Sequence, residues 1–258
     1  MDLGLQGKQA LVCGASQGLG FACAKALAAE GVRVLLVARR EGPLQAAAAQ
    51  LQAGGAEVQI LSADVTHEAG RQSIRQMCPD TDILVTNAAG PAPGDFRQWD
   101  REDWISAIDA NMLTPIALIQ AYVDGMMARG FGRIINITSS SVKSPLESLG
   151  LSTGARSALT GFVGGLARSV VSRGVTINNL LPGTFATARL QGNFAAQALR
   201  EGASVDTVIQ RRLNKHPAQR FGQPDELGKT CAFLCSVHAG YINGQNILMD
   251  GGSFPGVL

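Results

Sequence analysis

A glycine-rich turn near the N-terminus constrains this chain more than any other feature. The turn Gly14–Gly20 directly follows the apolar run Ala10–Cys13 and precedes a helix-like stretch that extends to Glu30. Glycines allow a tight turn and a close approach to a pyrophosphate, whose charge then lies on the free N–H groups where the helix begins. The spacing is Gly-x3-Gly-x-Gly rather than Gly-x-Gly-x-x-Gly, and a glycine cluster alone is weak evidence. Because a strand, a turn and a helix follow in this order, the sequence predicts a dinucleotide site rather than a plain structural turn.

Apolar strand-like runs alternate with helix-like stretches along the whole chain. Strands are predicted at Gln9–Cys13, Arg33–Val37, Val58–Ser62, Ile83–Thr86, Arg133–Thr138, Thr176–Leu181 and Gln245–Met249. Helices are predicted at Leu19–Glu30, Pro43–Ala53, His67–Met77, Arg101–Met127, Gly150–Ser172 and Asp225–Ser236. Continuously apolar strands are typical of a parallel sheet that helices cover on both faces. We therefore predict an α/β fold, a single doubly wound Rossmann-type domain over residues 1–258 with a seven-stranded parallel sheet. Within it, Phe185–His216 is predicted to form two short helices and a lid over the crevice.

Composition and charge exclude several classes of protein. Charged residues make up 16% of the chain and the formal net charge is +2, with no stripe of Lys and Arg, so no nucleic-acid or membrane partner is expected. The N-terminus lacks the pattern of a secretory signal, and no apolar stretch approaches the length of a membrane helix. The five cysteines are scattered without a Cys-x-x-Cys, which favours free buried thiols in a reducing cytoplasm over a metal site or a disulfide framework.

The end of the second strand indicates which dinucleotide binds. An NAD-preferring site normally offers Asp or Glu near this point to the ribose 2′-hydroxyl, but here the strand ends in Ala38-Arg39-Arg40. The two arginines can hold a 2′-phosphate through charge-assisted hydrogen bonds and can stack on adenine. The alternative is two solvated surface arginines, although cations just before a helix N-terminus oppose its macrodipole. The sequence therefore predicts NADP(H).

Further candidates lie at the carboxyl ends of the next two strands, where an open α/β sheet binds its ligand. Asp64 and Val65 follow the third strand, and Asn87-Ala88-Ala89-Gly90 follow the fourth. Asp64 is placed to accept a hydrogen bond from adenine, and a cap on the helix that starts near His67 is the alternative.

Taken together, these motifs resemble the short-chain dehydrogenase/reductase family over nearly the whole chain, and most of all its 3-oxoacyl-carrier-protein reductase-like members. The resemblance rests on the glycine turn, Asn87–Gly90, Asn111, Asn136-Ile137-Thr138-Ser139, Pro182-Gly183 with Thr187, and Gly244-Gln245 with Asp250-Gly251-Gly252. It implies hydride transfer between a nicotinamide and the carbonyl or hydroxyl of a small substrate. It also implies a homotetramer, with Arg101–Met127 and Gly150–Ser172 packed across a two-fold axis. The cofactor-binding residues are expected to be Gly14, Ser16, Gln17, Gly18, Leu19, Gly20, Arg39, Arg40, Asp64, Val65, Asn87, Ala88, Ala89, Gly90, Arg156, Pro182, Gly183, Thr184 and Thr187.

The family's catalytic residues are only partly present. The resemblance implies that Asn111 and Ser139 hold the substrate and take part in the proton relay. At the positions of the family's Tyr-x3-Lys pair, however, this chain has Ser152 and Arg156. A tyrosine must lower its pKa of ~10 by roughly 3 units, about 4 kcal/mol, to work at neutral pH, whereas an alkyl hydroxyl near ~16 would need roughly 9 units. Ser152 is therefore not a substitute acid. Arg156 can hold ribose hydroxyls and favour an alkoxide, but it cannot shuttle protons.

The proton donor and the function each leave alternatives open. Tyr122 is expected to pack on a helix face and Tyr241 to be a structural turn residue, while Lys143 is either a desolvated acid or a solvated loop lysine. Lys143 and Glu147 lie in a loop expected to line the substrate pocket, and His216 on the lid is the remaining candidate. The chain is then either an NADP(H)-dependent oxidoreductase with a displaced or water-mediated proton relay, or a cofactor-binding sensor or regulator without turnover.

Overall fold

A seven-stranded parallel sheet with helices on both faces organises the structure, a computed structural model that describes residues 1–256. The strand order is β3-β2-β1-β4-β5-β6-β7, and every neighbouring pair is parallel. The strands are β1 Gln9–Cys13, β2 Arg33–Ala38, β3 Val58–Ser62, β4 Ile83–Thr86, β5 Gly132–Ile137, β6 Val175–Pro182 and β7 Asn246–Met249. The helices are α1 Gly18–Ala29, α2 Glu41–Gln52, α3 Glu68–Met77, α4 Arg101–Ile108, α5 Thr114–Arg129, α6 Gly150–Val170, α7 Ala188–Glu201, α8 Val205–Lys215 and α9 Pro224–Cys235. The predicted fold class is confirmed.

Burial on both faces explains why the central strands read as continuous apolar runs. Along β1, Val12 packs into the layer on one side of the sheet, whereas its neighbours Leu11 and Cys13 pack into the layer on the other side. The two edge strands, β3 and β7, depart from the pattern, because each is covered by a neighbouring strand on one side only and none of their residues is fully buried. The order reverses between β1 and β4, so the crevice of the sheet opens at the carboxyl ends of these two strands.

The prediction of a single helix over Arg101–Met127 is wrong. Two helices, α4 and α5, replace it, with a π-helical turn at Asp109–Leu113 between them. Pro115 in the first turn of α5 has no N–H to donate to the carbonyl of Asn111 four residues earlier, so a regular helix cannot continue through this point. The turn places Asn111 in the interior, beside α6. Similarly, α2 begins at Glu41 and not at Pro43.

Phe185–His216 contains two helices, as predicted. Phe194 on α7 and Val208 on α8 are buried in one small cluster, and the ring of Phe221 lies 5.4 Å from that of Phe194. This cluster is separate from the two layers that flank the sheet, so α7 and α8 carry their own apolar contacts beside the crevice.

A chain of hydrogen-bonded polar side chains, one threonine and three asparagines, crosses the second half of the sheet. Thr86 donates to Asn136 at 2.6 Å, Asn136 to Asn179 at 3.0 Å, and Asn179 to Asn246 at 2.7 Å. These bonds satisfy polar side chains inside the sheet and fix the relative positions of β4, β5, β6 and β7.

All five cysteines are buried and free, as predicted. In residues 1–256 no helix has the length and apolar character needed to cross a membrane, and no group of three or more potential ligands could hold a metal ion.

Candidate active site

The glycine turn has the geometry that a phosphate site requires. Gly14 and Gly18 adopt φ of 60° and 62°, which L side chains rarely do. A side chain on Gly20 would collide with the carbonyl oxygen of Gly14, and that oxygen accepts a 3.4 Å hydrogen bond from Asn87 Nδ2. No side chain caps the start of α1, where Gln17 is the N-cap residue. The first N–H groups of α1 are therefore available for an anion.

The ends of β2 and β3 bring Arg39 beside Asp64. The guanidinium of Arg39 is 70% exposed and lies 4.0 Å from Asp64 Oδ2, and Arg40 is the exposed N-cap residue of α2. Asp64 is not a helix cap, because α3 begins after His67 and Asp64 Oδ1 instead accepts bonds from the N–H and the hydroxyl of Thr66 at 3.0 and 2.8 Å. Burial acts to raise the pKa of Asp64, but the Thr66 bonds and the Arg39 charge outweigh it and lower the pKa.

Thr187 approaches the glycine turn from the opposite side of the crevice. Its Cγ2 lies 3.7 Å from the point where a Cβ on Gly18 would stand, and its hydroxyl caps α7 by accepting from Leu190 N–H at 3.3 Å. Pro182 ends β6, and the Gly183 N–H donates to Met249 O at 2.9 Å. The loop after β6, including Thr184, therefore brings Thr187 over the same crevice as the turn after β1.

Ser152 and Arg156 lie one turn apart on α6, and both are buried. Arg156 Nε donates to Ser152 Oγ at 3.2 Å. Its Nη1 donates to the carbonyls of Ile137 and Thr138, both at 2.8 Å, and its Nη2 to Ala88 O at 3.1 Å. Burial, and secondarily the charge of Arg189, lower the pKa of Arg156 to about 10, so it remains a cation at neutral pH.

Ser139 and Asn111 each keep an unused hydrogen-bonding group. Ser139 Oγ accepts from the N–H and the hydroxyl of Ser141 at 3.1 and 2.9 Å, which leaves its own proton free to donate. Asn111 Nδ2 donates to Ala107 O at 3.2 Å, while the buried Oδ1 has no donor among residues 1–256. A water or a ligand that donates to Oδ1 would complete the site.

The tyrosines lie away from this chemistry. Tyr122 is buried and donates to Cys78 O at 2.9 Å, and burial raises its pKa beyond the range of a working acid. It packs on a helix face, as predicted. Tyr241 lies in a turn with its side chain fully exposed, so it supports no packing within the described chain.

The other proton-donor candidates are placed as follows. Lys143 is half-buried just after Ser140–Val142, and Glu147 is exposed. His216 is half-buried after α8, with Nε2 3.2 Å from Ser253 Oγ.

Sequence reasoning missed Arg189, in the first turn of α7. Its Nη2 donates to Gly90 O at 3.1 Å, which joins α7 to the loop after β4 across the crevice. The signal was a cation two residues after Thr187, at a helix N-terminus where the macrodipole disfavours it.

Comparison with known proteins agrees with the geometry. The family model described as enoyl-(acyl carrier protein) reductase matches residues 14–253. The chain is 34% identical over 256 residues to 3-oxoacyl-(acyl-carrier-protein) reductase FabG of Vibrio harveyi, covering 98% of this chain and 99% of the relative. It is 32% identical over 254 residues to gluconate 5-dehydrogenase of Gluconobacter oxydans, covering 96% and 95%.

Among solved structures, L-sorbose reductase of Gluconobacter frateurii, complexed with NADPH and L-sorbose, superimposes with a TM-score of 0.94. It is 30% identical, and the match covers 100% of both chains. The fold, the glycine turn and matches that span almost the whole chain lead to one conclusion: this chain belongs to the short-chain dehydrogenase/reductase family of oxidoreductases.

Proposed function

We propose that this protein is an NADP(H)-dependent oxidoreductase that moves a hydride between nicotinamide and the carbonyl or hydroxyl of a small molecule. The observation that carries the proposal is the uncapped start of α1 behind a tight turn, in which Gly14 and Gly18 adopt positive φ and Gly20 packs against the carbonyl of Gly14. The solved NADPH complex of a reductase with this fold supports it. The bound dinucleotide supplies or accepts the hydride.

The residues at the end of β2 favour the phosphorylated cofactor. β2 ends at Ala38, whose side chain cannot hydrogen-bond to a ribose hydroxyl, and Arg39 follows with a largely exposed guanidinium. The carboxylate of Asp64 lies 4.0 Å from Arg39 without a hydrogen bond between them, so the charge of Arg39 stays exposed. A 2′-phosphate would receive charge-assisted hydrogen bonds from Arg39 and Arg40.

Ser139 is the residue that we assign to the reacting oxygen. Its free hydroxyl proton can donate to a carbonyl oxygen and to the oxyanion that develops as hydride arrives. Arg156 adds a fixed positive charge near the ends of β4 and β5, which favours an oxyanion but supplies no proton. The proton then comes from water, from the substrate or from the half-buried Lys143, and the orphan Asn111 Oδ1 is a suitable partner for such a water.

The direct test follows nicotinamide absorbance with a panel of β-ketoesters, diketones and quinones, with NADPH and NADH compared. We expect turnover of at least one carbonyl, with preference for NADPH. Tight NADPH binding with no turnover of any carbonyl would contradict the proposal and would leave a sensor or regulator.

We also propose a homotetramer. Apolar residues on α4 and just before α5 are exposed, with Ile105 at 41% and Leu113 at 48%. A Cβ on Gly161, Gly164 or Gly165 of α6 would meet no atom within 4 Å, so this face allows close approach of another helix. Light scattering should give about four times the 26.9 kDa of the chain, and a monomeric mass would contradict the proposal.

A further inference from the structure

A point beside Gly90 is surrounded by two cations and a hydroxyl. A Cβ placed on Gly90 would lie 3.4 Å from Arg156 Nη2, 3.5 Å from Ser152 Oγ and 3.8 Å from Arg189 Nη2. These groups come from α6 and α7, and Gly90 comes from the loop after β4. The missing side chain at position 90 therefore leaves space for at least a methyl-sized group in contact with all three.

Arg156 faces this point with an unused donor. A guanidinium has five N–H donors, and four of them are taken by Ser152 Oγ and by three backbone carbonyls. One N–H remains, on the Nη2 nearest the point beside Gly90. Because the carbonyls are neutral, they solvate the charge but do not cancel it, and Arg156 is only 7% exposed.

Arg189 adds a second charge without a counter-ion. Its Nη2 donates to the carbonyls of Gly90 and Pro91, at 3.1 and 3.5 Å, while Nε and Nη1 have no acceptor among residues 1–256. Within the same residues no carboxylate oxygen lies within 4.0 Å of either guanidinium. Two like charges therefore meet at the crevice, and the lowered pKa of Arg156 reflects its burial first and its proximity to Arg189 second.

We propose that the substrate is an oxo acid or hydroxy acid, whose carboxylate is held by Arg189, by the remaining N–H of Arg156 and by the hydroxyl of Ser152. The inference rests on the proposed function, since it names the substrate class of the same site. Ser152 Oγ accepts from Arg156, so its own proton is free to donate to the anion. A carboxylate presents two acceptor oxygens to the converging donors, and it neutralises charge that the fold leaves uncompensated.

This arrangement gives a new role, binding an anion, to the two positions at which this chain departs from the family. Ser152 removes the tyrosine ring and Arg156 replaces a lysine, so a binding pocket for an anion occupies the place of the family's proton relay. Arg189 enters the same space from α7, where it can adjust to the ligand because it is exposed. Residues that cannot serve as acids thereby become specificity-determining ones.

The test compares acids with their methyl esters on the protein loaded with NADP⁺. The probes are 2-oxobutanoate, 3-oxobutanoate and 4-oxopentanoate with the three matching esters, with Kd measured by calorimetry and kcat and KM measured with NADPH. At least one acid should bind about 10- to 100-fold more tightly than its ester, the range for hydrogen bonds to a charged group. Arg189→Met should lower the affinity for that acid by a similar factor and bring the acid-to-ester ratio towards one, and Arg189→Lys should restore part of it.

Arg200→Met is the matched control, because Arg200 is an exposed arginine in the last turn of α7, without a place in the site. It should leave the acid-to-ester ratio unchanged. Equal affinity for acids and esters, no binding of any acid, or an equal effect of Arg189→Met on both members of a pair would overturn the inference. Acid binding without turnover of any probe would support the anion site and count against the proposed function. Turnover of esters as efficient as that of acids would support the proposed function and count against the anion site.

Discussion

Restoring the family's acid should test directly whether the rest of the site is competent. The double substitution Ser152→Tyr with Arg156→Lys replaces two residues that lie one turn apart and whose side chains already meet at 3.2 Å. Ser152 Oγ lies 3.5 Å from the point where a Cβ on Gly90 would stand, so the missing side chain at position 90 leaves space beside position 152. A lysine at 156 has three N–H donors for the carbonyls of Ile137, Thr138 and Ala88 that Arg156 now contacts.

The expected gain follows from the pKa of the new phenol. The neighbouring ammonium at position 156 favours the phenolate, and a shift of roughly 3 units from ~10, about 4 kcal/mol, brings the phenol near neutral pH. A positioned general acid contributes about 10²- to 10⁴-fold in rate. The variant should therefore reduce a neutral diketone or β-ketoester with kcat/KM raised by about 10²-fold or more, which corresponds to about 3 kcal/mol of transition-state stabilisation.

The assay is steady-state oxidation of NADPH with a neutral ketone, and the matched control is Ser152→Phe with Arg156→Lys. This control has the same ring and the same lysine but no hydroxyl, so it separates acid catalysis from changes in shape. Both variants are first checked for folding by circular dichroism and for NADPH affinity by calorimetry. If both fold and bind NADPH, and the tyrosine variant exceeds the phenylalanine variant by less than about tenfold, the acid is not what the site lacks.

Three further outcomes are expected. Arg39→Asp should lower the preference for NADPH over NADH by about 10-fold or more, whereas Arg33→Asp, at the opposite end of β2, should leave it unchanged. An unchanged preference in Arg39→Asp would show that the 2′-phosphate binds elsewhere. Tyr122→Phe should lower stability by about 1 kcal/mol in urea unfolding, because Cys78 O loses its buried donor, and a large loss of kcat with unchanged stability would instead place Tyr122 in catalysis. A thiol reagent should label the native protein far more slowly than the denatured protein, since all five cysteines are buried, and equal labelling rates would contradict this.

Local sequence patterns predicted most of the fold. The alternation of apolar strands with helices identified all seven strands to within about one residue, because burial on both faces requires continuous apolar runs whatever the distant contacts are. The prediction failed at Asp109–Leu113, where a long helical pattern hid a π-helical turn. Pro115 was the available signal, since it cannot donate to the carbonyl four residues before it.

The candidate site also has one part that local sequence predicts and one part that it does not. The glycine turn could be predicted because its strand, turn and helix are contiguous, and the backbone angles of Gly14 and Gly18 follow from residues that tolerate them. The hydrogen-bonding state of Arg156 could not be predicted, because the carbonyls that occupy its donors belong to two other segments. Its contact with Ala88 joins residues 68 positions apart in sequence.

By itself, then, the sequence determined the order of elements and the glycine turn, and its resemblance to the family predicts Ser152 and Arg156 where the family has tyrosine and lysine. Only the tertiary structure decided what takes their place. Arg189 reaches Gly90 across 99 residues of sequence, and no local propensity specifies such a contact. The convergence of two uncompensated guanidinium groups with Ser152 arises because the loops after β4 and β6 and the start of α6 meet at one edge of a parallel sheet.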